Sequence, residues 1–416
     1  MALTPTQQQN KSKTGFLSAS PKGGGHMLKL IKGASVYAPE ALGTQDVLIA
    51  DSRILKIARD IPAADAYEVE VLDGKGKLLF PGFIDSHVHI LGGGGEGSYH
   101  TRTPEIMLTD ITLGGVTTVV GCLGTDGTTR NMASLLAKAR GLEEEGISAY
   151  IYTGSYQVPV RTLTENIADD LILIDKVIGC GEIAVSDHRS SQPTKEEFAR
   201  IVGDTRVGGI LSGKAGLVNI HMGDGTRMLS YLRYVIEETE IPPSNMLPTH
   251  INRSTRLLKD GIDYAKSLGG YVDLTTSSDP DYLEEDEVKA STGLRLMLEQ
   301  GVSEHQITFS SDGQGSMPIF DKDGVFLGLG VGKVTSLYRE VRDAILTEKI
   351  EITQALKPVT SNPADLLKLN GKGRIAPGKD ADLVLVEESS LCIDTVLAKG
   401  QIMVQEGTAC KKGTFE

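Results

Sequence analysis

A period of about 30 residues, the length of a strand and its returning helix, runs through the middle of this chain. Eight apolar runs of strand length, "GFIDSHVH", "VTTVVGC", "SAYIYTG", "EIAVSD", "LVNIH", "MLPTH", "GYVDLTT" and "QITFSSD", start 24 to 36 residues apart between Gly82 and Gln306. Helical stretches separate them, so each interval holds one βα unit. Strands that are apolar throughout, rather than alternating, belong to a parallel sheet covered on both faces. Eight such units predict an α/β chain closed as a (β/α)8 TIM-type barrel over residues 81–370. An open doubly wound sheet is the competing arrangement of the same units.

The flanks read differently. From Met27 come "LKLIKGASVYA", "DVLIADSRILKIA" and "YEVEVLDGKGKLLF", and the carboxyl end carries "ADLVLVEES" and "IDTVLAKGQIMVQEG". These short runs alternate between Gly, Asp and Pro punctuation, as antiparallel strands do. Residues 27–80 and 371–416 are therefore expected to pair as one composite small β-sandwich domain. Residues 1–26 are polar, lack an apolar signal-peptide core and precede a second methionine. They are expected to be a disordered expression leader outside the fold.

Composition closes several routes. The 416-residue chain carries a net charge of −13, and its first 26 residues hold three lysines and no acid, so the remainder carries −16. So acidic a surface disfavours nucleic acid and anionic membrane as partners. No run approaches the ~18 apolar residues of a membrane span. A local group of arginines can still bind an anionic small substrate. Cys122, Cys180, Cys392 and Cys410 form no C-x-x-C pair, which predicts reduced, mostly buried thiols in a cytoplasmic protein.

In a strand, residues i and i+2 face the same way, about 7 Å apart. His87 and His89 therefore project together at the end of the first run. His221, His250 and Asp312 close the fifth, sixth and eighth runs, and Glu182 opens the fourth. A barrel gathers the carboxyl ends of its strands on one face. Any one of these histidines could be a buried residue with a backbone partner; their joint placement at strand ends points to a metal site. Imidazoles with carboxylates suit Zn2+ or a similar borderline divalent ion, and the set exceeds the ligands of one tetrahedral centre. Two ions are expected, bridged by a shared ligand and a water. Two cations deprotonate that water near neutral pH. Asp312 can take its proton and later hand it to a leaving amine. Such machinery hydrolyses an amide.

"PGFIDSHVH", the single histidines closing later strands, "SSDG" and "GKGRIAPGKDADLVLV" resemble the amidohydrolase superfamily of binuclear-metal hydrolases. More narrowly, "HVHILGGGGEG", "VVGCLGTDG", "YTGSYQVP", "SDHRSS", "RVGGILSGKAG", "HMGD", "PTHINR" and "SSDGQGS" are similar, in order and spacing, to the bacterial isoaspartyl (β-aspartyl) dipeptidase family. The resemblance implies a hydrolase of β-aspartyl dipeptides with two Zn2+ per subunit, assembled as a homo-oligomer, an octamer. It implies that His87 and His89 hold the more buried ion with Asp312, while His221 and His250 hold the second. By the same resemblance, Glu96 grips the α-ammonium group of the substrate and Tyr156 polarises the scissile carbonyl. Arg189 and Arg253 would bind the carboxylate of the leaving residue, and Ser316, Thr125 and the backbone at Gly94 would contact the aspartyl moiety. A β-aspartyl dipeptide carries one ammonium and two carboxylates, which an acid and two guanidinium forks complement.

One position departs from the family pattern, in which a lysine carboxylated by CO2 bridges the metals. Its place, seven residues before Arg189, is held by Glu182, and the nearest lysine, Lys176, lies six residues earlier. Glutamate needs no modification, but its oxygens lie roughly 3 Å nearer the backbone than those of a carboxylated lysine. The expectation is that Glu182 bridges both ions without a carboxylated lysine, on a strand lying closer to the metals. The alternative is a Glu182 outside the ligand set, with one ion held tightly. A cyclic amidase or an N-acyl amino acid deacylase is the competing function, though a cyclic imide would not need Glu96, Tyr156, Arg189 and Arg253 as a set. A non-enzymatic scaffold would have lost metal ligands that this chain retains.

Overall fold

The computed structural model describes residues 28–62, 68–278, 286–320 and 326–416; the leader expected over residues 1–26 lies outside the described residues. Five strands come first: β1 (Leu28–Tyr37), β2 (Ala41–Ala50), β3 (Arg53–Ala58), β4 (Val69–Asp73) and β5 (Lys77–Pro81). Eight more follow at the expected spacing: β6 (Phe83–Val88), β7 (Val116–Gly121), β8 (Ser148–Thr153), β9 (Val177–Val185), β10 (Leu217–Met222), β11 (Met246–Thr249), β12 (Val272–Thr275) and β13 (Ile307–Ser310). In β6, β7, β9 and β10 every residue is buried, which explains their unbroken apolar character.

β6 to β11 form one parallel sheet in sequence order, and β12 pairs in parallel with β13. The ring closes by different means at its two seams. Between β13 and β6 the backbone does it: Asp312 N–H donates to His87 O at 3.1 Å, and His89 N–H to Gly313 O at 2.9 Å. Between β11 and β12 no ladder forms among the described residues, and side chains take over. Asn252 accepts from Thr275 N–H at 2.8 Å and donates to Thr275 O at 2.9 Å, while Thr249 donates to Asp273 at 2.7 Å. Closure makes this the (β/α)8 TIM-type barrel and removes the open-sheet alternative. Its floor is an apolar layer of Ile84, Val120, Tyr152, Ile178, Leu217 and Leu247, packed with Leu367 and Leu369 that follow the last barrel helix, Ser361–Leu366.

The outer helices start and stop where the sequence signals it. Thr194 and Glu197 form a capping box that opens helix Lys195–Ser212, and Gly213 ends it in the left-handed region at φ 71°. Two features differ from the sequence reading. β9 starts at Val177, so Glu182 lies within the strand rather than opening it. After β13 an unanticipated antiparallel hairpin, β14 (Ser316–Phe320) and β15 (Phe326–Val331), places Ser316 at its base.

The chain returns through β16 (Leu383–Glu387), β17 (Ile393–Ala398), β18 (Gln401–Gln405) and β19 (Thr408–Ala409). β16 lies antiparallel to β5, with Leu385 opposite Leu79. The nine terminal strands thus share one sheet, ordered β19-β18-β17-β16-β5-β1-β2-β3 with β4 beside β1. Ile31, Val47, Ile49, Leu79, Leu383 and Leu397 from both chain ends build its apolar core. Cys122 and Cys180 are buried, but Cys392 and Cys410 are exposed, so burial of the thiols holds only in the barrel. Among the described residues, no helix is long and apolar enough to cross a membrane.

Candidate metal centre

Alternation along β6 sends His87 and His89 to one side, their ring centroids 5.4 Å apart. His221 comes from β10. His250 and Asp312 each follow the end of a strand and adopt left-handed backbone, φ 61° and 52°. Histidine and aspartate are among the side chains that adopt this region most readily, so both turns are accessible to the residues that occupy them.

Glu182 reaches the same cavity through a β-bulge. Val218 of β10 pairs with Cys180 and Ile220 with Ile183, so Gly181 and Glu182 together face Asn219. Only glycine fits at 181, since a Cβ there would lie 2.6 Å from Asn219 O, at φ 146°. Bulges re-aim the residues that follow them, and this one accompanies a short side chain that touches all four imidazoles. Oε2 lies 3.2 Å from His87 Nε2 and 3.8 Å from His89 Nε2. Oε1 lies 2.8 Å from His221 Nδ1 and 3.2 Å from His250 Nε2. Each oxygen thus serves one histidine pair, and Asp312 Oδ1 stands 3.0 Å from His89 Nε2.

Burial would push the Glu182 carboxyl upward, but the His87 charge and the His221 and His250 contacts hold it well below the usual carboxylate range. Asp312 is likewise disfavoured by burial, yet His89 and the neighbouring imidazoles bring it down to about 2. Burial lowers His250 to about 3, which keeps its ring neutral and its lone pair available. His87 Nε2, Glu182 Oε2 and Asp312 Oδ1 are buried without a partner in hydrogen-bond geometry. Buried ligand atoms that converge without hydrogen-bond partners are the arrangement a cation would satisfy. The donors fall into two groups that share Glu182: His87 and His89 with Cys122 beside them, and His221 with His250. These residues fit a pair of divalent ions.

Around the donors lie the residues expected to meet substrate. Tyr156 is buried with its hydroxyl 2.7 Å from His221 Nδ1, and burial raises that phenol well above its ordinary value. Thr125 donates to Glu96 at 2.8 Å. Gly94, at φ 70°, leaves space that a Cβ would fill to within 2.8 Å of Ser316 Cβ, so the glycine loop approaches the base of the hairpin. Arg130 pins this loop by donating to Leu91 O and Thr103 O, both at 3.0 Å. The two arginines are placed differently from each other. Arg253 Nη1 stands 3.4 Å from His221 Nε2. Arg189 does not offer an open fork, because Asp187 accepts from its Nε at 3.0 Å and its Nη2 at 2.8 Å.

Asp187, Arg130 and Cys122, whose sulfur is 3.7 Å from His89 Nδ1, are residues that sequence reasoning passed over. Asp187 alone carried a usable signal, as an acid at the carboxyl end of a barrel strand.

Known proteins place the chain. The amidohydrolase family matches residues 78–403. The crystal structure of β-aspartyl dipeptidase from Fervidobacterium islandicum AW-1, in complex with β-Asp-Leu dipeptide, is 48% identical. It superposes with a TM-score of 0.86, over 92% of this chain and 98% of that one. A dihydroorotase of Lactiplantibacillus plantarum is 23% identical over 90% of this chain and 93% of its own length. Adenine deaminase of Halalkalibacterium halodurans is 26% identical over 87% of this chain, which spans only 54% of that protein. With the family matched across the barrel and the strands that follow it, and the donors gathered at one end of that barrel, this chain belongs to the amidohydrolase family.

Proposed function

We propose that the chain is an isoaspartyl dipeptidase that hydrolyses the isopeptide bond of β-aspartyl dipeptides. The observation that carries the reading is Glu182, whose two oxygens each face a different histidine pair. The β-Asp-Leu bound in the 48% identical neighbour supports the substrate class. Zinc is the ion the donor set suits best, two per chain, with Glu182 rather than a carboxylated lysine as the shared ligand. When bound, the ions supply an activated water and charge stabilisation for the carbonyl oxygen.

The chain's residues do the rest. Glu96 takes the ammonium group of the substrate, steadied by Thr125. Arg253 and the remaining Nη1 of Arg189 take the carboxylate of the leaving residue. Gly94 and Ser316 line the aspartyl portion. The Tyr156 hydroxyl, kept protonated by burial, donates to the carbonyl oxygen as negative charge develops there. Asp312, an acceptor at neutral pH, takes the proton of the attacking water and returns it to the departing nitrogen as the C–N bond breaks. The acidic chain works as a homo-oligomer in the cytoplasm on this reading.

Turnover of β-Asp-Leu, α-Asp-Leu and dihydroorotate by zinc-loaded protein tests the assignment. Hydrolysis of β-Asp-Leu is expected to dominate. Preference for the α-linked dipeptide, or for the cyclic substrate of the dihydroorotases, would overturn it.

A further inference from the structure

Asp187 stands just past the end of β9 with its side chain 3% exposed. Space has been cleared for it, because a Cβ on Gly223 would lie 2.5 Å from Asp187 Cβ. Its Oδ1 accepts from the Arg189 backbone N–H at 2.7 Å and from Arg189 Nε at 3.0 Å. Its Oδ2 accepts from Arg189 Nη2 at 2.8 Å and lies 2.9 Å from His221 Nε2, so that the guanidinium and the imidazole, 3.0 Å apart at Nη2 and Nε2, converge on one oxygen that can accept from both. Arg253 Nη1 is 3.8 Å from the same oxygen. The other nitrogen of His221, Nδ1, faces Glu182 Oε1 at 2.8 Å.

A carboxylate on one imidazole nitrogen fixes the proton there and leaves the opposite lone pair for a cation. We propose that Asp187 is a positioning residue with two tasks. It locks His221 as the Nε2–H tautomer, so that Nδ1 serves the ion shared with His250 and Glu182. It also closes one edge of Arg189, so that Nη1, 3.6 Å from Glu96 Oε1, is the nitrogen presented to substrate. The two tasks form one line of contacts, Glu96–Arg189–Asp187–His221–Glu182, joining the ammonium subsite to the metal bridge. An Asp187 without this role would be only a bidentate partner for a neighbouring arginine, and His221 would hold its ion equally well without it.

The second task rests on the dipeptidase reading; the first does not, and its test involves no substrate. Chelator competition on the zinc-loaded holoenzyme reads the retention of each ion. Asp187→Asn keeps the size of the side chain and removes its charge. It is expected to weaken one ion of the two roughly 10- to 100-fold and to leave the other unchanged. Arg189→Lys is expected to raise KM for β-Asp-Leu without altering retention of either ion, which separates the tasks. Histidine 15N shifts of the zinc-loaded wild-type protein, assigned with His221→Asn, need no Asp187 variant to fold. They should show protonated Nε2 and ligated Nδ1 at His221. Wild-type retention of both ions by Asp187→Asn, or a protonated Nδ1 on His221, overturns the proposal. Failure of the wild-type enzyme on β-Asp-Leu would instead overturn the dipeptidase reading alone.

Discussion

Two buried carboxylates, one in the terminal sheet and one in the barrel, meet opposite treatment. Asp46 of β2 accepts from Lys32 Nζ at 2.6 Å and from the backbone N–H groups of Gly33 and Ile61, both at 2.8 Å. Both its oxygens are used, and the group closes the local structure. Glu182 faces four imidazoles, and its Oε2 has no partner in hydrogen-bond geometry. Burial costs a charged group several kcal/mol unless it is paired. The sheet meets that cost with donors of its own, whereas the barrel leaves one oxygen of its carboxylate for a divalent ion that the surrounding donors would fit. Here the satisfied carboxylate belongs to the architecture of the sheet, and the one left short of partners lies in the candidate metal centre.

That contrast is sharpest under mutation. Glu182→Gln keeps the volume but halves the ligating capacity, and should lower turnover of β-Asp-Leu about a thousandfold or more, measured at saturating zinc. Zinc should also raise the unfolding temperature of metal-stripped wild-type protein, and raise that of the variant far less. Glu96→Gln and Arg253→Lys act on the substrate and not on the ions. Each should raise KM by about 10- to 100-fold with a smaller change in kcat, because each removes a charge-assisted contact made in ground and transition states alike.

Asp46→Ala has the opposite profile. It should leave kcat and KM unaltered and lower the unfolding free energy by about 2 kcal/mol, through two backbone donors left without an acceptor. Denaturant titration measures this. Burial works against the Asp46 charge, but the Lys32 contact and the two amides outweigh it and depress the carboxyl below its ordinary value of 3.8. Its stabilisation is therefore present in full above that value and is lost as pH falls through the depressed one. The stability gap between wild type and variant should narrow only below about pH 4. A gap that narrows near neutrality, or a loss of activity in Asp46→Ala, would contradict a purely structural role for Asp46.

Much of this architecture was legible in the sequence because strand spacing and strand-end residues obey geometry that is uniform along the chain. The positions of His87, His89, His221, His250 and Asp312 at the ends of apolar runs needed only the period to bring them together. What stayed hidden depends on local backbone. Glu182 opens the apolar run "EIAVSD" in the sequence, but Gly181 before it forms a bulge inside β9, which already starts at Val177. The pairing of β14 with β15 was hidden by Gly328 and Gly330, which interrupt the apolar character of β15. The pairing of Asp187 with Arg189 was invisible for a different reason. Two charged residues at i and i+2 carry no information about whether they join each other or separate partners, and only the cleared space beside Gly223 decides it.

A two-ion site completed by a glutamate needs no carboxylated lysine, and metal counting in buffers freed of CO2 and bicarbonate tests this directly. Two zinc ions per chain and undiminished β-Asp-Leu turnover are expected under those conditions. A second ion that binds only after bicarbonate is restored, or a single ion in fully active protein, would contradict it.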